Sequence, residues 1–598
     1  MPQLAPPREN LQSGLILSLG VALIALISYS IPAFLDRPMV ENPEARIVVV
    51  AREMIRSGNY VIPTLGGEPR LMKPPLPYWT TAVGLKLSGA GVDPSPREMT
   101  MGLLLPMALI KALGVLAVAL FGCAVFGRTG GIMAGAILAT CYMLNQGARL
   151  GFADCILMST SAWMLCAATW LVAHPRPGFF AAAALGIGLG LGILVKEPVP
   201  FMVLGGGVAA EIVLRRKWDT RKATLWGMGL LLAGIIVIPW FVMVEQERPG
   251  SIVAMIKERL GIWNLADAVD DGHVQDDGSI YYFYKLAGGL LPWIALLIPA
   301  VFLVWGQLKD ERAKFRDAST PEGLALASAR FLLLVLVFGF MAFYLNRKQQ
   351  DHYLWPLLPA AALLGGYVLS YVVRPGGIAE EGLAWLILGG GALSGVVLAS
   401  FPVWAKMLPA PKSAGVFSAV DLAEQGWVVS VPAGVGLVLL GAVLARWVVN
   451  GRMLLAGLAM MFTAAIGWTV AGGVIIRNDL RNHDLLKEWK ALRKELNPQN
   501  ETMVYAANHA PAIWMYYLGR PVKPITDIPR LDPAIPAEKI VSPILVGRLP
   551  DFKTMDLKPL GWSLPEPLPE PSTERTWVVI ALKPLEKSIE KTASDTKP

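Results

Sequence analysis

The chain places acids and cations where an apolar sequence rarely tolerates them. Glu44 opens an amphipathic segment in Asn42-Pro43-Glu44, with Arg46 two residues on. Asp154 begins an apolar block just after Arg149, and Lys196-Glu197 ends another. Lys73 closes a Pro- and Gly-rich stretch that also carries Glu68 and Arg70, and Arg347-Lys348 stand before His352-Tyr353 at the start of a later block. Carboxylates in such places can orient or deprotonate a hydroxyl. Cations can hold an anionic headgroup, lysine as a compact point charge. His273 lies among Asp270, Asp271, Asp276 and Asp277, a set that could bind a cation or form a solvated acidic loop. Each residue also has a plainer reading. Glu44 can complement a helix dipole, Lys73 can snorkel to an interface, and Lys196 and Glu197 can pair with each other. Asp154 can be a helix-start acid, and Tyr353 can be an aromatic anchor at a membrane boundary.

The elements that must position these groups are membrane-spanning helices. Of 598 residues, 54% are hydrophobic and only 16% charged, against about 25% charged in a soluble globular chain. The apolar residues come in blocks near the roughly 20 residues needed to cross a bilayer as a helix. Backbone polar groups in lipid must be satisfied within their own segment, which makes such blocks helices. Blocks near residues 14–35, 100–126, 130–148, 154–174, 178–196, 198–214, 223–244, 281–306, 325–346, 353–373, 382–402, 430–448 and 453–476 predict about thirteen spans. The first is too long for a signal-peptide core and lacks a clear cleavage site, so it reads as a retained helix. Cys123, Cys141, Cys155 and Cys166 all fall in or beside apolar segments, which implies no disulfide framework. The net charge of +8 comes from short basic loops, without the basic–aromatic interleaving that would suggest nucleic acid. Arg215-Arg216-Lys217 with Arg221-Lys222, and Lys309 with Arg312, Lys314 and Arg316, put those loops in the cytoplasm under the positive-inside rule. Residues 36–99, 245–280, 403–429 and everything after about 477 then fall outside, in the periplasm of a bacterial cell.

The first outer loop has structure of its own. Asn42-Pro43-Glu44 supplies a cap, a first-turn proline and a first-turn acid. Ile47, Val50, Ala51, Met54 and Ile55 follow at helical spacing until Ser57-Gly58-Asn59 stops the helix. Such a helix belongs in the interface plane. Beyond residue 477 the pattern changes to a charged amphipathic helix over Leu485–Leu496, strands at Met503–Ala506, Ile540–Val546 and Trp577–Leu582, and a helix at His509–Leu518. The expectation is a transmembrane domain over 1–476 and a soluble α/β domain over 477–598, with a loose tail from about Leu585.

Within this layout the sequence resembles a known family. Glu44-Ala45-Arg46, Ala51-Arg52-Glu53-Met54, Ser57-Gly58-Asn59-Tyr60-Val61-Ile62-Pro63 and Lys73-Pro74-Pro75-Leu76-Pro77-Tyr78-Trp79 are similar to the first-loop signature of GT-C fold glycosyltransferases that use lipid-linked sugars. These are relatives of the aminoarabinose lipid A transferase and of the protein mannosyltransferases. Weaker echoes run on through Arg149–Asp154, Gly190–Lys196 with Pro198, Pro239-Trp240, Pro292-Trp293 and His352–Pro359.

The resemblance implies transfer, with inversion, of a glycosyl group from a polyprenyl-phosphate carrier to an acceptor at the periplasmic face of the inner membrane. The acceptor could be a lipid A-like glycolipid, a protein or a glycan. Glu44 and Asp154 would be catalytic; Lys73, Arg46 and Lys348 would bind the donor phosphate; Tyr353 and His273 would line the substrate groove. Many relatives carry an Asp-Glu pair where this chain has Pro43-Glu44, so a role for the first acid is absent or moved. Relatives often carry Glu at the position of Met72, and in the aminoarabinose branch that Glu helps to hold a metal. No cofactor is therefore implied with certainty, and Met72 counts against a divalent metal. The alternative function is a multi-pass transporter or flippase of lipid-linked sugars. Such a protein should show repeated halves, paired broken helices and mid-membrane charges; the sequence shows neither an evident repeat nor mid-helix charge clusters, and its notable charges gather at the outer boundary.

Overall fold

A computed structural model describes residues 8–34, 42–71, 73–89, 95–148, 151–215, 219–262, 280–291, 293–309, 319–345, 350–371 and 427–450. It also describes shorter stretches within 384–403, 452–463, 503–529, 543–548, 557–565 and 577–584. The apolar blocks become long helices: α1 (Arg8–Phe34), α4 (Pro96–Thr140), α6 (Ala153–Ala173), α7 (Phe179–Lys196), α8 (Val199–Arg215), α9 (Thr220–Glu247), α13 (Pro321–Tyr344), α14 (Leu358–Tyr371) and α15 (Trp427–Val449). Between them lie α2 (Asn42–Ser57), α3 (Leu76–Leu87), α5 (Tyr142–Ala148), α10 (Ser251–Ile262), α11 (Tyr281–Gly289) and α12 (Leu297–Lys309). Among the described residues seven helices are long and apolar enough to cross a membrane, or up to eight if the bent pair Tyr281–Gly289 and Trp293–Gly306 is one span. The chain is thus a polytopic helical membrane protein. The blocks expected at 382–402 and 453–476 fall largely outside the described residues.

Helix α4 is two of the expected blocks in one. Forty-five residues at about 1.5 Å each would be more than twice the roughly 30 Å hydrocarbon thickness. Gly127, with φ 78° and ψ 171°, breaks the run, a backbone that a Cβ-bearing residue rarely adopts. The two arms then fold back on each other closely: a Cβ on Gly122 would stand 2.7 Å from the Gly131 Cα. The bundle is also tied by polar groups. Buried Glu211 on α8 pairs with Arg330 on α13, and the Tyr29 hydroxyl donates to the Ala139 carbonyl at 2.8 Å.

The first loop is built as its sequence indicates. After α2, Asn59 makes an Asx turn, its Oδ1 accepting from Val61 N at 2.8 Å and Ile62 N at 3.0 Å. A tight antiparallel hairpin follows, β1 (Thr64–Leu65) with β2 (Glu68–Pro69), Leu65 opposite Glu68. Its two turn residues, Gly66 (φ 66°) and Gly67 (φ 84°), both have positive φ, as a type I′ turn requires. Two tryptophans fix the segment before the hairpin: Trp79 Nε1 donates to the Tyr60 carbonyl at 2.7 Å, and Trp240 Nε1 to that of Val61 at 3.0 Å.

Near the C-terminus, β3 (Val504–Ala506), β4 (Val522–Pro524), β5 (Ile544–Arg548) and β6 (Trp577–Ala581) form a sheet in the order β4-β3-β5-β6. Strand β3 is parallel to β4 and β5, and β5 is antiparallel to β6. Side chains alternate across a strand. Tyr505 joins a cluster with Ile528, Leu545, Leu557, Trp562 and Leu582, whereas Val504 and Ala506 belong to the main core. The stretch after β3 touches the first loop directly. Arg52 Nη2 on α2 donates to the Met515 carbonyl at 2.8 Å, and the Tyr516 hydroxyl donates to the Pro96 carbonyl at 3.0 Å. The expected helices at Leu485–Leu496 and, for the most part, His509–Leu518 lie outside the described residues.

Candidate active site

The start of α2 faces inward. Glu44 has no solvent exposure, and the Gly151 backbone N–H donates to its Oε1. Gly151 leads into α6, so this contact joins two segments 107 residues apart. A first-turn acid serving only the helix dipole would remain in solvent; here the carboxylate is an inward hydrogen-bonded group. Arg46, two residues further along the same turn, is half-buried, and burial lowers its basicity, with Arg70 adding repulsion.

Glu53 on α2 holds the hairpin by accepting from Thr64 Oγ1 at 2.6 Å, Gly66 N at 2.7 Å and Gly67 N at 3.3 Å. That grip sets the path of the chain from the hairpin to Lys73. Replacing Glu53 by Ala is expected to weaken the loop by about 2 kcal/mol, the scale of a charged hydrogen-bonded group. Limited proteolysis should then cleave near Gly66-Gly67 far faster than in the parent, and unchanged cleavage would show that the grip is dispensable.

Lys73 is half-buried at the end of this path. Burial, then the nearby Lys196, push its ammonium down to about 8, with Arg70 and Arg46 adding to the repulsion and Asp154 opposing it. Asp154, in the first turn of α6, is almost wholly buried. Its Oδ1 accepts from Lys196 Nζ, at the end of α7, at 2.9 Å, and its Oδ2 lies 3.8 Å from His352 Nε2. The Lys196 ammonium stands over the Tyr353 ring at 4.0 Å from its centroid, a cation–π contact. His352 and Tyr353 come from the 3₁₀ turn Asp351–Leu357 that leads into α14. Phe152 packs edge-on to His352 and stacked with Trp355.

Four segments therefore meet at one end of the bundle: the first loop, the start of α6, the end of α7 and the turn before α14. Lys73, Arg46, Asp154 and Tyr353 converge there, and Glu44 lies beside them through Gly151. Arg149, Lys348 and His273, with the acids around His273, lie outside the described residues. Lys196 reaches Asp154 on another helix, a link that the neighbouring Glu197 obscured in the sequence. Arg70 and His352 were not singled out for a role, although Arg70 sits three residues before Lys73 and His352 directly before Tyr353. Cations outnumber acids at this end, which suits an anionic ligand. Among the described residues no three His, Cys, Asp or Glu side chains are placed to share a metal ion. The thioether of Met72 is likewise no ligand for a hard divalent cation.

Comparison with known proteins bears on this arrangement. A model of the dolichyl-phosphate-mannose-protein mannosyltransferase family matches residues 72–242, the stretch that holds Lys73, Asp154, Lys196 and Trp240. The crystal structure of ArnT from Cupriavidus metallidurans in the apo state superposes with a TM-score of 0.70 over 95% of this chain and 98% of that one, at 19% identity. The chain has the ArnT fold. The ArnT structure bound to undecaprenyl phosphate superposes with a TM-score of 0.69 at 19% identity, covering 95% of this chain and 97% of that one. In sequence, the chain is 23% identical over 397 residues to the undecaprenyl phosphate-alpha-4-amino-4-deoxy-L-arabinose arabinosyl transferase of Edwardsiella ictaluri. That match takes in 64% of this chain and 65% of the relative's length. The resemblance to the lipid-linked-sugar glycosyltransferases, first visible in the loop motifs, thus extends to most of the ArnT fold.

Proposed function

We propose that this protein transfers a glycosyl group, with inversion, from a polyprenyl-phosphate-linked sugar to an acceptor at the periplasmic face of a bacterial inner membrane. The observation that carries the reading is the convergence of Lys73, Arg46 and Lys196 with Asp154 and Glu44 at one end of an apolar bundle. A polyprenyl-phosphate sugar has a charged headgroup and a tail that stays in lipid, and this end offers cations beside membrane-spanning surface. In a direct displacement the acceptor oxygen attacks the anomeric carbon as its bond to the phosphate oxygen breaks, which inverts that carbon. The bonding pair stays on the phosphate, and cations preorganised around it favour the charge that develops.

Glu44 would take the proton of a hydroxyl acceptor; an acceptor already ionised needs no base. Asp154 would hold Lys196 and His352 in place and set the field near the anomeric carbon. Tyr353, already under Lys196, would line the groove. By the same reading Lys348 adds a phosphate contact and His273 a groove residue. The chain crosses the membrane about thirteen times, and residues 477–598 form a soluble domain that caps the active end, consistent with the contacts from Met515 and Tyr516 to the first loop.

The test is mass spectrometry of envelope lipids, glycans and glycoproteins from a strain lacking the protein, its parent, and strains complemented with the parent gene or Glu44→Ala. One envelope species should lose a single sugar in the deletion strain and regain it with the parent gene only. An envelope unchanged by the deletion would overturn the reading, as would full complementation by Glu44→Ala for that residue. A transporter would instead retain transport when Glu44 is replaced.

A further inference from the structure

Arg70 is a cation whose surroundings the reading above does not use. Its backbone N–H donates to the Pro63 carbonyl at 2.7 Å, closing the neck of the hairpin. Its guanidinium lies beside the Tyr78 hydroxyl on α3. It also lies close enough to repel the charges of Arg46 and Lys73. Its Nε is shielded from solvent and meets no acceptor among the described residues. A charged donor held in this way is costly, and so is the gathering of three like charges. An anion set among Arg46, Arg70 and Lys73 removes both costs at once.

We propose that Arg70 is a ligand of the departing carrier phosphate and favours the charge which that phosphate gains as the sugar leaves. The inference rests on the transfer reading. In the donor the phosphate is a diester with one negative charge. When the bond from the anomeric carbon breaks, the electron pair remains on the phosphate oxygen, the acceptor oxygen bonds to the carbon, and the carrier becomes a monoester with up to two charges. A guanidinium fixed beside that phosphate interacts more strongly after bond breaking than before. Interactions that strengthen in this sense raise kcat more than they lower KM. Tyr78 is a positioning residue in this scheme, since its ring and hydroxyl stand beside the guanidinium.

A phosphate monoester could come from the carrier or from a phosphate-bearing acceptor lipid, and the test separates them. The purified full-length protein would be titrated with polyprenyl phosphate, with its methyl diester and with phosphatidic acid, alongside transfer kinetics. Arg70→Gln is expected to weaken polyprenyl phosphate binding by about tenfold or more, the scale of one charge-assisted hydrogen bond. Its effect on the diester should be several times smaller. The kcat for transfer should fall by a similar factor with donor KM little changed. Arg70→Lys should lie between, and Tyr78→Phe should show a weaker form of the same pattern, all with parent-like thermal unfolding.

Unchanged monoester binding in Arg70→Gln, or equal losses for monoester and diester, would overturn the proposal. A loss confined to phosphatidic acid would assign Arg70 to an acceptor phosphate and overturn it too. The transfer reading fails separately, if the unsubstituted protein binds no polyprenyl phosphate. Retained binding in Arg70→Gln with binding lost in Lys73→Ala would overturn the role of Arg70 alone.

Discussion

Exchanging Asp154 for asparagine is expected to reduce transfer by about a hundredfold or more while the protein still inserts. The substitution keeps the shape of the side chain and removes only its charge. That charge faces Lys196 Nζ at 2.9 Å and His352 at 3.8 Å, and it is the acid that offsets repulsion at Lys73. Breaking one side of a buried ion pair costs roughly 3–5 kcal/mol, because the partner stays buried and unneutralised. If Lys196 then turns away, the site also loses a cation, and about 1.4 kcal/mol of lost transition-state stabilisation is a tenfold drop in rate. The fold will share part of this cost, so thermal unfolding in detergent must be measured alongside turnover. The double variant Asp154→Asn with Lys196→Gln separates the two contributions. Removing both charges should restore much of the thermal stability and none of the activity. Parent-like turnover in Asp154→Asn would remove the ion pair from the mechanism.

The sequence disclosed the members of this site better than their partnerships. Asp154 and Lys196 were each conspicuous as charges at the edge of an apolar block, since lipid makes such residues expensive. Nothing local could show that they meet, because 42 residues separate them and the contact depends on how α6 packs against α7. In the chain Lys196 stands next to Glu197, and that adjacency masks its partner on α6. Glu44 illustrates the same limit. A first-turn acid suits any helix, and only the packing of α2 beside Gly151 reveals that its carboxylate faces inward. The helices were legible because a span has a minimum length and a sustained apolar composition. The break in α4 was legible as the gap between two blocks around Gly127-Arg128-Thr129. The hairpin was not, since two strands of two residues each leave almost no pattern, and its stability comes from Glu53 on another element. The link from Arg52 to Met515 spans 463 residues, which no periodicity can register.

Replacing Lys73 by alanine should raise the donor KM by about tenfold to a hundredfold, the loss of one charge-assisted contact with a phosphate. The pH dependence gives a sharper test. Burial and Lys196 bring the Lys73 ammonium from an ordinary 10.5 to about 8. Anion binding needs the charged form. Below pH 8 the site is already protonated, and donor KM should be flat. Above it, binding must take up a proton, so KM should rise by up to about tenfold per pH unit, each unit being worth about 1.4 kcal/mol. Lys73→Arg keeps its charge throughout and should flatten that rise while retaining much of the affinity. Linkage fixes the sign of the stability effect as well. Between about pH 8 and 10.5 the unfolded chain holds the Lys73 proton and the folded chain does not, so this group makes stability increase with pH across that window. Below it, the enforced charge is a standing cost to the fold that a bound phosphate relieves. Lys73→Ala should therefore unfold at a higher temperature than the parent at pH 7 and lose that advantage towards pH 10. A donor KM independent of pH from 7 to 10 in the parent would show that Lys73 does not contact the phosphate.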